Sequence, residues 1–159
     1  ILRRADHALL AEPAISIALR KTGSFPVKLI SPDLYRSVDL QEEWGELFHT
    51  KAKLPQAGIA YIGDTKGKEE LINRFLSEYE KSLSWYKQNP KEAANLVVKT
   101  LPMLEEQGLA DSIEHVTFES VNANETIEDL EFFFSILQNS DAKLIGGKLP
   151  NKELYYKSN

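Results

Sequence analysis

Residues 8–19 read ALLAEPAISIAL. An apolar run meets a glutamate and a proline and then turns into a small amphipathic helix, and the reading of this junction decides the fold class. Residues 8–11 have the length and composition of a short buried strand. Pro13 suits the first turn of a helix, where its missing N–H would be unpaired anyway. Ile15, Ala18 and Leu19 recur at helical spacing, and Gly23 is placed to stop the helix. Strand then helix is the order expected of an α/β protein. Glu12, between them, has two readings. It is a surface carboxylate stabilised by the positive end of the helix, or it is a ligand group at the C-terminal end of a strand, where open α/β sheets bind their ligands.

The pattern continues outward from this junction. Residues 27–30, within FPVKLIS, read as a second strand. Asp39 is a good N-cap for the helix VDLQEEWGELF, with Glu42 three residues on as in a capping box. Leu40, Trp44, Leu47 and Phe48 form its apolar face. Residues 59–62 of AGIAYIG read as a further strand, closed by Gly63. The longest element is expected over about residues 66–88, where Leu71, Ile72, Phe75, Leu76, Tyr79, Leu83 and Tyr86 fall at steps of three and four. Asn89, Pro90 and Glu92 then punctuate and restart a helix carrying Ala93, Leu96, Val97 and Leu101. VTFESV reads as a strand or an extended connector, and residues 126–137 as another helix. Few strands remain for a sheet, which points to sequence outside this chain.

Composition bounds the function. The 159 residues suffice for one domain with a core, and the hydrophobic fraction of 42% and charged fraction of 27% are those of a globular protein. The net charge of −5 argues against a nucleic-acid binder, which needs a basic surface. The absence of cysteine removes disulfides, thiolate metal sites and thiol nucleophiles.

The familiar chemical motifs fail on spacing. His7, His49 and His115 are scattered and are not placed as metal ligands. GDTKGKE, residues 63–69, has three residues between its glycines where a phosphate-binding loop needs four, and Glu69 stands where Ser or Thr is required. No G-x-S-x-G elbow occurs, and SDAKLIGGK lacks the helix a dinucleotide fingerprint needs. The pairs Glu42–Glu43, Glu69–Glu70 and Glu105–Glu106 are sequence neighbours that do not face each other on a helix, so they read as solvated faces near helix ends. Trp44 and Tyr86 read as core, and Tyr61 and Trp85 are not sites on spacing alone. No catalytic residue, metal or cofactor is expected.

Taken together, LLAEPAISIALRK, RSVDLQEEWGELF, LPQAGIAYIG, FLSEYEKSLSWYKQNPKEAANLV and IGGKLPNKELYY resemble the C-terminal half of a substrate-binding protein of an ABC importer. The group it is most similar to binds thiamine pyrimidine precursors, alongside the aliphatic sulfonate, taurine and nitrate binders. The order and spacing of the five stretches carry the resemblance, which covers essentially the whole chain. It implies part of a two-lobed, type II periplasmic-binding (Venus flytrap) fold of α/β lobes. Residues 1–14 would then be the end of lobe two and the return hinge crossing, and residues 15–159 the C-terminal part of lobe one. The rest of the protein would lie outside this chain.

The function so implied is capture of a small organic solute, a thiamine pyrimidine precursor or a sulfonate, in the cleft between the lobes. The partners would be an ABC permease and its ATPase. The location would be periplasmic or extracytoplasmic, with a lipid anchor at an N-terminus not included here. At the hinge, Glu12 would line the cleft and accept hydrogen bonds from an amino-pyrimidine or amine. Gln56, opening the LPQAGIAYIG strand, and Tyr35, in the preceding loop, are the other ligand-binding candidates. Because a sulfonate site favours arginine donors without a carboxylate nearby, Glu12 tilts the expectation toward a nitrogen-bearing solute. Two other readings stay open: a pyrimidine-precursor biosynthetic enzyme on the same fold, and the ligand-sensing domain of a receptor. Eukaryotic relatives that synthesise the pyrimidine use a cysteine-rich motif and sacrifice a histidine, and cysteine is absent here.

Overall fold

The computed structural model describes residues 6–51 and 53–157. Helix accounts for 57% of the chain and no strand occurs among the described residues. Six α-helices follow in order: α1 (Ala14–Gly23), α2 (Leu40–Phe48), α3 (Glu69–Gln88), α4 (Pro90–Thr100), α5 (Glu106–Ile113) and α6 (Ile127–Ser140). The chain divides into two compact units. One contains the residues up to Ser37 together with Tyr79–Phe118, the other Val38–Glu78 and the residues from Glu119 on.

Local chemistry explains where the helices begin and end. The Asp39 carboxylate accepts from the Gln41 N–H at 2.8 Å and starts α2, whose end is closed by His49 in the left-handed conformation. Pro90 occupies the first turn of α4, and Leu101, ahead of Pro102, ends it. Asn89 does not cap with its side chain; its amide donates back to the Trp85 carbonyl at 2.8 Å. The helix that periodicity missed is α5. It begins at Glu105, whose carboxylate accepts from the N–H groups of Gln107 and Gly108 at 3.1 and 2.6 Å. Glutamate is a poor N-cap by preference, so the signal was weak.

The first unit is built around α5, which packs on both α1 and α4. Ala93 and Ala94 of α4 and Leu109 and Ile113 of α5 are buried. Their small and branched side chains let the two helix backbones approach closely. On the other side, an alanine Cβ at Gly108 would lie 2.8 Å from the Ile17 Cα, so α1 and α5 meet backbone against backbone. Arg20 fastens the same pair: its Nε donates to Asp111 Oδ2 at 2.8 Å and its Nη1 to Gln107 Oε1 at 2.9 Å.

The second unit joins α2 to α6 through aromatic rings. Trp44 lies 4.4 Å from Phe48 and 5.9 and 5.8 Å from Phe132 and Phe133, centroid to centroid. Edge-on and tilted geometries of this kind suit the ring quadrupoles. Two 3₁₀ turns, Ala123–Thr126 and Ala142–Ile145, flank α6, and the side chains of Asn122 and Asp141 cap them.

The expected α/β, Venus flytrap architecture is therefore corrected to an all-helical one. Residues 8–11 are irregular, with Leu9 and Leu10 exposed. Residues 27–30 form a 3₁₀ turn because the N–H groups bond locally: Lys28 to Ser24, Leu29 to Pro26 and Ile30 to Val27 at 2.9–3.1 Å. Those donors are no longer free for a ladder. Residues 55–63 are irregular and have no backbone partner among the described residues. Residues 117–122, which include most of VTFESV, are irregular too. A short apolar run shows that a segment could be a buried strand; it does not show that a partner strand is there to pair with it.

Candidate functional site

Of the three candidate residues, Glu12 has the most structured surroundings. The chain enters α1 through Glu12 and Pro13, and the Glu12 carboxylate folds back over the first turn. Its Oε2 accepts from the Ser16 N–H at 3.1 Å, one of the donors a helix start leaves unpaired. Its Oε1 accepts from Arg36 Nη2 at 2.5 Å. The same Arg36 nitrogen donates to Ser16 Oγ at 2.8 Å, which closes a three-residue cluster. Ser16 is buried. The Glu12 side chain is 9% exposed and that of Arg36 35%.

The electrostatics follow from this geometry. Burial pushes the Glu12 carboxyl up, but the bonds from Arg36 and Ser16 outweigh it and hold the group below the ordinary glutamate value. Glu12 is therefore a charged, paired carboxylate at neutral pH. A second acid in the same unit behaves alike: the Arg20 guanidinium holds Asp111 below its ordinary value, with lesser help from His115 and Arg36. Arg20, Arg36 and His115 thus share one neighbourhood with Asp111.

Tyr35 precedes Arg36 in a loop and is 80% exposed. It belongs to the same unit as Glu12. Gln56 belongs to the other unit, in the irregular segment that follows Leu54. The amide of Gln41 holds Leu54 by both its N–H and its carbonyl, while Gln56 itself is exposed. The structure brings Glu12 together with Arg36 and Ser16, neither of which was a sequence candidate. Ser16 stands four residues after Glu12, a spacing that a helix start makes legible. Arg36 lies 24 residues from Glu12 with no periodic relation to it, and only charge complementarity could have suggested the pair.

The histidines do not converge. His7 is exposed, His49 closes α2, and His115 follows α5. No cluster of three or more metal-binding side chains occurs among the described residues. No helix among them is long and apolar enough to cross a membrane. An open groove of about 400 Å³ runs along the first unit between Trp85 of α3 and Lys91, Glu92, Asn95 and Leu96 of α4.

What fold and site define is a helical chain carrying a partly buried, ion-paired carboxylate at a helix start. No protein-family model matches the chain, and no curated protein or solved structure matches it.

Proposed function

We propose that this chain is the solute-binding component of an ABC importer and captures a small organic solute, a thiamine pyrimidine precursor or a sulfonate, at the Glu12 cluster. The observation that carries the capture step is the pairing of a 9% exposed, charged carboxylate with a guanidinium that keeps about a third of its surface in solvent. Such a pair presents fixed charge at a defined position, which is what a small polar ligand needs for orientation. Exposed Tyr35 adds an aromatic ring and a hydroxyl next to it in the chain. Gln56 remains a candidate contact within the second unit on sequence grounds.

The importer part of the proposal rests on the resemblance of the five sequence stretches alone, and the α/β lobes implied by that resemblance are contradicted by the all-helical architecture. From the resemblance come a membrane permease and ATPase as partners and an extracytoplasmic location. The two-lobed architecture is not part of the proposal. The chemistry proposed is binding without reaction.

A thermal-shift screen with pyrimidines, amines and sulfonates tests this reading. One class is expected to raise Tm in a saturable way. Glu12→Gln should weaken that ligand measurably, since the neutral amide no longer holds the Arg36 guanidinium by a charge-assisted bond. A Tm indifferent to every class, in a chain that unfolds cooperatively, sinks the proposal.

A further inference from the structure

We infer that Arg36, and not Glu12, is the group that meets the solute, and that the part of the solute it takes is an oxyanion such as a carboxylate, sulfonate or phosphate. This deepens the solute-binding reading and rests on it.

The two members of the pair are not equally available. Both Glu12 oxygens already accept a bond, one from Arg36 and one from the Ser16 N–H, and the side chain is 9% exposed. Arg36 is 35% exposed and makes both of its contacts, to Glu12 and Ser16, through the single nitrogen Nη2. Its Nε and Nη1 carry three more N–H bonds, for which no described residue supplies an acceptor. A guanidinium keeps its charge at any physiological pH, so those donors are permanently polarised.

The anchoring is what separates Arg36 from an ordinary surface arginine. Ser16 is buried and Glu12 nearly so, and both fix Nη2 at hydrogen-bond distance. The free side of the guanidinium is therefore pre-positioned, which lowers the entropy a ligand must offset on binding. An amine approaching the cluster finds Glu12 already paired with Arg36, and Asp111, the other carboxylate near Arg36, already paired with Arg20. An oxyanion instead finds unspent donors of complementary charge. The preference of a bare carboxylate for a nitrogen-bearing solute is thus reversed by the arginine in front of it.

The test follows the arginine Nε–H signals in ¹H–¹⁵N spectra of the intact chain, at constant ionic strength. The probes are acetate, methanesulfonate, inorganic phosphate, methylammonium and 4-aminopyrimidine. Arg36→Gln assigns the Arg36 signal, and Arg74→Gln, at an exposed position on α3, serves as the control. At least one oxyanion is expected to shift the Arg36 signal saturably, with the same affinity in Arg74→Gln. Where Arg36→Gln folds poorly, Arg36→Lys, which keeps the charge beside Glu12 and likewise lacks the guanidinium Nε–H, makes the assignment. Saturable binding of methylammonium or 4-aminopyrimidine, with every oxyanion silent, overturns the inference and leaves solute binding standing. Silence from all five probes overturns both.

Discussion

Glu12 shows how a single carboxylate is tuned by its neighbours. Burial alone would raise its pKa, and the Arg36 and Ser16 donors reverse the sign. A folded-state value below the unfolded one means that the carboxylate contributes stability above the unfolded value, about 4.3, and loses it as pH falls through the folded value. Asp111, lowered by Arg20, acts in the same direction. The expected profile of Tm against pH is flat from 7 to about 5 and falls below about 4. Glu12→Gln should cost about 1 kcal/mol at pH 7 and make the acid fall shallower, because a neutral amide has nothing left to protonate. Circular dichroism melts across that range check both effects, and an acid limb of unchanged steepness in Glu12→Gln would remove Glu12 from the account. At this scale the sequence singled out Glu12, since a glutamate ahead of a helix-starting proline is locally unusual. It did not mark Arg36, because a long-range ion pair leaves no periodic trace in a chain.

At the scale of elements, the first unit depends on how closely α1 and α5 approach. Gly108 has no φ constraint that demands glycine; what it lacks is space, with the Ile17 Cα and Cγ1 and Glu105 Oε2 all 2.8 Å from where a Cβ would sit. Gly108→Ala should gain about 1 kcal/mol of helix propensity and still be destabilising by about 1–3 kcal/mol, since backbone cannot yield as a flexible side chain can. Gly58→Ala, with nothing within 4 Å, should stay within about 0.5 kcal/mol of wild type. Urea unfolding of the two variants decides it, and a neutral Gly108→Ala would mean that α1 and α5 are not in backbone contact. In the second unit, Trp44→Ala removes the ring shared by Phe48, Phe132 and Phe133. It should cost about 2–3 kcal/mol and erase much of the near-ultraviolet dichroism.

The helices were legible for reasons internal to each segment: apolar spacing, Asp39 as a cap, Pro90 in a first turn. The strands were not, because a strand exists only with its partner. Residues 27–30 have the composition of one, yet their N–H groups close a local turn behind Pro26. Residues 59–62 have both the composition and the free backbone, and no described segment pairs with them. Only α5 was lost among the helices, because its N-cap is a glutamate and its eight residues give periodicity little room.

At the scale of the whole molecule, apolar surface is incompletely covered. No large side chain is fully buried among the described residues. Apolar side chains of the strand-like segments remain in solvent, Leu9, Ile30 and Ile62 among them, with Ile62 at 95% exposure. Unfolding can expose only surface that folding has hidden, so heat capacity measures this directly. A chain of this length ordinarily unfolds with a ΔCp of about 2 kcal/mol/K, from about 12–15 cal/mol/K per residue. The value here should fall clearly below that, and the urea m-value should be low for the same reason. Scanning calorimetry at several pH values gives ΔCp from the slope of enthalpy against Tm. A ΔCp at or above the ordinary figure would mean that the strand-like segments are buried in solution, through pairing with one another or with a second copy. Analytical ultracentrifugation separates those two outcomes, since only the second changes the mass.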